Sequence, residues 1–376
     1  MSDRFAVTYR IFAADRAEAM ARAEGIALEQ TVEIPRDVVP AGFIEDEILG
    51  QVEEIGADSE GQWRGVVSYS PESCGTELPQ LLNVIFGNSS IQRGLKVVGL
   101  DLGPLARDFP GARFGIRGMR RLAGLDRGPF IAPVLKPQGS SPAQLAETAY
   151  RCALGGAHIV KEDHGLTNQP CAPFRDRVEA ITESLARAKA RTGRPCLYFA
   201  GLAGHSADLD GMAVFAARAG VDGLLVMPGL FGFDTVHRLA RNDAINLPIM
   251  THPSFLGPYV LSADTGFSHA MMFGTMQRLA GADISVFPNV GGRFGFTAQE
   301  CQAIAAACGD PAGIGCPILP SPGGGMSPER GAEMLNMYGE DAMFLLGGSL
   351  LRHGTRIGEA IAELCARLDA SRSGIA

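Results

Sequence analysis

The feature that constrains this chain most is a repeated unit. From about residue 130 onward, a short β-rich run, a Gly- or Pro-rich turn and an Ala-rich amphipathic stretch follow one another eight times. The runs are FIAPVLKP (130–137), HIVKEDH (158–164), CLYFAGL (196–202), GLLVMPG (223–229), LPIMTHP (247–253), DISVFPN (283–289), PILPSPGGG (317–325) and MFLLGGS (343–349). Between them lie helical patterns such as SPAQLAETAYRCALGG, DRVEAITESLARAKARTG and TAQECQAIAAACG. Each opens near Ser, Thr or Asp and most close near Gly, as capped helices do. Strands alternating with helices pair in parallel, and eight such units over about 250 residues predict a closed (β/α)8 (TIM) barrel. Such a barrel builds its site at the C-terminal ends of its strands.

The first ~125 residues read differently. RFAVTYRIF, ALEQTVEIP, EILGQVEEIG and WRGVVSYSP are strand-like, with helical DRAEAMARAEG between the first two and helical ELPQLLNVIFG after the last. We expect an N-terminal α+β (ferredoxin-like) domain with an antiparallel sheet over residues 1–125, and the α/β barrel over 126–376. RDFPGARFGIRGMRRLAGLDRGP (108–129) joins the two. A net charge of −8 without a Lys/Arg run disfavours nucleic acid and anionic membrane as partners. No ~18-residue apolar stretch is present to span a bilayer. The start, MSDRFAVTYRIF, lacks the apolar core of a leader, and the eight cysteines form no CxxC pair. The expectation is a cytoplasmic protein with free thiols.

The strand ends carry the chemistry. Lys136 ends the first barrel strand, and Lys161, Glu162, Asp163 and His164 end the second. His252 closes the fifth, and Asn289 with the loop NVGGRFG, containing Arg293, follows the sixth. This inventory suits a metal-assisted acid–base site acting on an anion. Lys161 and Asp163, two apart on one strand face, are either a plain salt bridge or part of a site. In the second case a neutral amine at Lys161 can take up CO2 as a carbamate, because buried lysines shift pKa readily. His252 either caps its strand or faces a ligand, and His158 reads as structural. Arg293 is a solvated loop charge or a clamp on a carboxylate or phosphate. The glycines of SPGGGMS and LGGSL follow strands seven and eight, where barrels often bind phosphate on backbone N–H groups.

These residues resemble a family. FPGARFGIRGMRRLAG, APVLKPQG, GGAHIVKEDHGLTNQP, GADISVFPNVGGRFG and YGEDAMFLLGGSL are similar, in the same order, to segments of ribulose bisphosphate carboxylase large subunits, and in particular of the RuBisCO-like (form IV) proteins. The resemblance implies that Lys136 helps enolise the substrate, that Lys161 becomes a carbamate binding Mg2+, and that Asp163 is a metal ligand. It implies that His252 lies in the substrate pocket and that Gly324, Gly325, Gly347 and Gly348 bind phosphate. It also implies that Glu24 and Asn83 reach a neighbouring subunit's site in at least a head-to-tail homodimer.

The departures narrow the expected reaction. His164 stands where the family has a second metal-binding glutamate, which favours Mn2+ or another divalent metal over Mg2+, or an acid–base role instead. Arg293 replaces the lysine that holds the carboxylating CO2, and an arginine lacks that compact ammonium geometry. Gln138, Pro253, Glu29, Gln30 and Gly323 depart as well. Carboxylation is therefore not expected. What survives is enolisation of a phosphorylated ketose, as in RuBisCO-like isomerases or tautomerases of methylthio-sugar phosphates. The alternatives are a decarboxylase or transcarboxylase (a lyase-type reaction) of a 3-keto sugar-acid phosphate, and a non-catalytic regulatory or structural protein.

Overall fold

In Phe5–Ile11 every second side chain is apolar and buried, while Ala6, Thr8 and Arg10 between them are half-buried. That alternation gives a strand with one covered face. The computed structural model describes residues 3–373 and places this strand, β1, in an antiparallel sheet with β2 (Gln51–Ala57), β3 (Trp63–Tyr69) and β4 (Leu95–Asp101). Helix α1 (Arg16–Glu29) is started by Asp15, whose carboxylate accepts from the Glu18 N–H at 2.9 Å. It packs its buried Ala19, Ala23, Ile26 and Ala27 toward the sheet. Helix α2 (Leu78–Phe86) is tied in by the Tyr9 hydroxyl, which donates to the Ile85 carbonyl at 2.7 Å.

ALEQTVEIP is a helix end, not a strand. The Thr31 hydroxyl donates to the Ala27 carbonyl at 2.6 Å, and the Val32 and Glu33 N–H groups donate to the Leu28 carbonyl. These bonds turn the chain where β-branched residues alone suggest extension. LKVVGLD supplies the missing strand, β4, pairing with β1 on the side opposite β3.

The second half forms the expected barrel. Strands β5 (Phe130–Leu135), β6 (Ile159–Glu162), β7 (Leu197–Gly201), β8 (Gly223–Val226) and β9 (Ile249–Thr251) pair in parallel. A two-residue strand, β10 (Gly266–Phe267), leaves the barrel to pair with Lys96 and Val97 at the sheet edge. Strands β11 (Ile284–Pro288), β12 (Leu319–Gly323) and β13 (Met343–Leu346) then close the barrel onto β5.

The joining segment does more than connect. Its helix α3 (Gly115–Ala123) packs Met119 and Ala123 against Phe130, Ile159, Leu197, Ile284, Leu319 and Met343, closing the N-terminal end of the barrel. Asp283 fixes this floor. Its carboxylate accepts N–H bonds from Phe114 (2.8 Å), Gly115 (2.7 Å) and Ile249 (2.9 Å). His158 is structural, as expected, its ring nitrogen accepting the Ile131 N–H at 3.0 Å.

Inside the barrel, Val134, Ile159, Met250, Val286, Leu319 and Leu345 belong to one apolar cluster. With a period of two, the residues at the strands' C-terminal ends that share this face are Lys136, Lys161 with Asp163, His252, Pro288, Gly323 and Gly347. All seven line one cavity.

Candidate active site

The cavity at the C-terminal mouth holds about 1020 Å³. Lys136, Lys161, Arg293 and Arg352 line it, with Asp163 as the only carboxylate in its wall among the described residues. A cavity with this balance draws anions.

Adjacent residues of β6 show how the strand sorts its charges. Glu162 points away from the cavity and is fully buried. It accepts from Arg177 at 2.5 and 3.1 Å, from the Tyr198 hydroxyl at 2.6 Å and from the Gly201 N–H at 2.8 Å. Arg177 in turn donates to the Thr167 and Ala172 carbonyls, holding the loop after β6. Lys161 points inward, is 1% exposed, and has no hydrogen bond or ion pair among the described residues. Burial pushes its pKa down to about 8, and the Lys136 charge acts the same way against the opposing pull of Asp163.

Asp163 pairs with Lys136 (3.2 Å) and lies 3.5 Å from the His164 Nδ1. Burial alone would raise its carboxyl. The His164 hydrogen bond and the charges of Lys136, His164 and Lys161 outweigh that and hold it well below the usual range. The imidazoles of His164 and His252 stack with centroids 4.1 Å apart and planes 18° from parallel. His252 Nδ1 meets the Ser254 hydroxyl at 2.8 Å. Burial, with Lys161 and His164 nearby, keeps its pKa well below the ordinary histidine value, so it is a neutral ring at pH 7.

Across the mouth, Gly324 and Gly325 both take φ +77°, a left-handed conformation costly for other residues. A Cβ on Gly347 would stand 3.9 Å from the Lys136 Nζ, so the turn after β13 borders the lysine. Arg293 is exposed on the rim, stacked over Phe294 at 5.0 Å, and makes no ion pair among the described residues.

The catalytic-domain model of the ribulose bisphosphate carboxylase large chain matches residues 115–302. Ribulose bisphosphate carboxylase-like protein 1 of Rhodopseudomonas palustris is 38% identical over 369 residues, 98% of each chain. The chain belongs to the RuBisCO large-chain family, among the RuBisCO-like proteins. The 5-methylthioribulose-1-phosphate isomerase of Rhodospirillum rubrum is 36% identical over 99% of this chain and 98% of its own. The crystal structure of a Rubisco-like protein from R. palustris superposes with a TM-score of 0.84 at 32% identity, covering 98% of both chains.

In this RuBisCO-like chain the structure gathers Lys136, Lys161, Asp163, His164, His252, Arg293, Gly324, Gly325, Gly347 and Gly348 around one cavity. Glu24 and Asn83 are not among its lining residues. They are exposed on α1 and α2, and no hydrogen bond joins them. An amide–carboxylate cluster sits elsewhere: Asn88 donates to Glu29 at 3.0 Å and to Glu33 at 2.8 Å. The sequence signal for it was the Asn of FGNSS directly after α2. Sequence reasoning also missed Arg352 and Phe255, which both line the cavity. Phe255 takes φ +68° and is 67% exposed, a conformation that no residue pattern announced.

The unmodified donor set does not by itself make a metal site. No three His, Cys, Asp or Glu side chains converge to hold an ion among the described residues. A carbamate on Lys161 would add an anionic donor beside Asp163, with His164 as a third group. The buried, unpartnered amine of Lys161 is the form from which a carbamate is made.

Proposed function

We propose that this chain is an enolising isomerase of a methylthio sugar phosphate and fixes no CO2. The observation that carries this reading is Lys161, an unpartnered buried lysine at the mouth of a cationic cavity. Similarity over nearly the full length to a methylthioribulose-phosphate isomerase supports the substrate class. Arg293 on the sixth-strand loop, where a carboxylase needs a lysine, argues against carboxylation.

In this reading the phosphate lies on the turns at Gly324–Gly325 and Gly347–Gly348, and Lys136 faces the reacting carbons. Carbamylated Lys161 and Asp163, with His164, would hold a divalent cation, Mg2+ or a metal better suited to imidazole such as Mn2+. Such a cation, when bound, polarises the substrate carbonyl as a Lewis acid. Once carbamylated, Lys161 would be the base placed to take the proton from the carbon beside the carbonyl. The Lys136 ammonium donates a hydrogen bond to the oxygen where charge develops. A proton is then delivered to the former carbonyl carbon while the neighbouring hydroxyl's proton passes to the former carbonyl oxygen. The reaction is therefore a net isomerisation without oxidant or leaving group, and exchange of the abstracted proton with solvent before its return labels the product. His252, neutral and pinned by Ser254, acts as a hydrogen-bonding wall for the sugar hydroxyls.

The assembly we infer is a homodimer, in which the Asn88–Glu29–Glu33 cluster, with Asn88 and Glu33 exposed and Glu29 half-buried, completes the partner's site. Exposed apolar side chains support such a contact: Ile34, Val38 and Phe43 on the N-terminal segment, and Phe255, Leu261 and Phe294 on the mouth. Among the described residues no helix is long and apolar enough to cross a membrane.

The test is NMR detection of solvent deuterium entering the substrate, with products read in the same spectra. The panel is methylthioribulose 1-phosphate, ribulose bisphosphate and a 3-keto sugar-acid phosphate, with Mg2+ or Mn2+ and bicarbonate. Turnover of the methylthio sugar phosphate, absent in Lys161→Ala, is the expected result. Silence on that substrate with decarboxylation of the keto acid would instead assign the unpaired Arg293 to a substrate carboxylate.

A further inference from the structure

Two glycine loops meet backbone to backbone at the cavity rim. A Cβ on Gly325 would fall 2.7 Å from the Gly292 Cα, and one on Gly292 would fall 2.8 Å from the Gly324 carbonyl oxygen. The first loop, after β11, carries Arg293, and the second is the turn after β12. Their contact is close, with backbone against backbone at the glycines and the Phe294 ring 3.5 Å from where a Gly324 Cβ would stand, so neither loop can shift without disturbing the other.

One side chain outside the cavity holds this contact together. Arg330 sits at the start of the helix Gly331–Tyr338 and is absent from the cavity lining. Its Nη1 donates to the Gly325 carbonyl at 2.8 Å and to the Val290 carbonyl at 3.2 Å, one acceptor from each loop. Its Nε and Nη2 donate to the two Glu333 oxygens at 2.8 and 2.7 Å, which orient the guanidinium plane. Only the planar fork of an arginine reaches both loop carbonyls while bound bidentately to a carboxylate. Deeper down, the Asn289 N–H donates to the Gly323 carbonyl at 2.9 Å, so the strand ends are already in register and Arg330 acts above them.

We propose that Arg330 is a positioning residue that clips the Arg293 loop to the phosphate-binding turn, so that an anion on the turn also fixes Arg293 at the rim. The proposal rests on the reading of Gly324–Gly325 as the phosphate site. It assigns no contact with substrate to Arg330. Glu333 serves the clip by holding its far edge.

The experiment uses Arg293 as its own reporter, because trypsin cleaves after it. Cleavage at that bond is followed by mass spectrometry with and without inorganic phosphate, at matched ionic strength. Wild type, Arg330→Ala and Arg330→Lys are compared, and phosphate binding is followed separately by 31P line broadening. In wild type, phosphate should slow cleavage after Arg293 by at least about fivefold, as expected when a local opening is suppressed. In R330A phosphate should still bind but protect Arg293 little, and R330K, with its single ammonium, should fall between. A merely stabilising arginine would lower the melting temperature and leave the phosphate dependence intact. Equal protection in wild type and R330A overturns the clip, as does phosphate broadening in wild type without protection. Absence of broadening in wild type overturns the phosphate reading itself, and the clip with it. If R330A does not fold, R330K against wild type decides alone: full protection in R330K contradicts the proposal.

Discussion

The same eight strands end in two aspartates that behave in opposite ways. Asp283, at the floor, makes no ion pair among the described residues, and burial pushes its carboxyl up to about 6 even though three backbone N–H groups and the Arg113 charge favour the charged form. Asp163, at the mouth, is held far below the carboxylate range by His164, Lys136 and Lys161. At the floor the polar atoms are spent on the backbone of α3 and β9. At the mouth they face each other across a cavity, and one, the Lys161 ammonium, feels Asp163 only at a distance and makes no hydrogen bond or ion pair among the described residues. Where a folded chain leaves a buried charge unpaired, stability alone does not account for the residue.

The neighbouring pair Lys161 and Glu162 sharpens that contrast most. Lys161→Met should lower turnover by about a thousandfold or more, while the urea midpoint holds or rises, because an unpartnered buried charge is removed. Arg177→Met should do the reverse to stability. It strands the Glu162 carboxylate and two carbonyls, at a loss of about 3–5 kcal/mol, read from urea unfolding.

The floor gives a smaller effect with a definite pH signature. The folded-state pKa of Asp283, about 6, lies above its ordinary 3.8. The folded chain therefore keeps a proton that the unfolded chain loses between those values. Stability from this group is full below about pH 4 and is lost as the pH rises through about 6. The stability gap between wild type and D283N should therefore shrink by up to roughly 3 kcal/mol between pH 4 and 7. A gap that grows with pH would show that Asp283 is ionised more readily than the floor allows. Asn88→Ala is the smallest change. It should leave monomer stability within about 0.5 kcal/mol and, if the cluster serves the partner's site, raise KM.

The barrel was legible because period-two apolar runs and Gly/Pro turns are local properties. For the same reason these residues could be named from the sequence: Lys136, Lys161 and His252 are each the next inward residue after an apolar one, and Asp163 is the next after Lys161. What each charge meets is not local. Glu162 finds Arg177 fifteen residues on, and His164 stacks on His252 from three strands away. Nothing in HIVKEDH says that its glutamate is satisfied and its lysine is not. The helix end at Thr31–Glu33 was misread because β-branched residues also close helices through side-chain bonds. The strand Gly266–Phe267 is too short to carry a pattern. The contact of Asn88 with Glu29 and Glu33 was not legible because only the fold brings the turn after α2 to the end of α1.

In the proposed reaction, Lys161 is left unpartnered so that it can react with CO2. The direct measurement is 13C NMR of the protein under 13CO2 at fixed dissolved concentration, in wild type and K161M. The account predicts one carbamate resonance, absent in K161M. Its rate of formation should rise about tenfold per pH unit below about pH 8 and level off above it, following the neutral amine. An active wild-type enzyme without that resonance would contradict it.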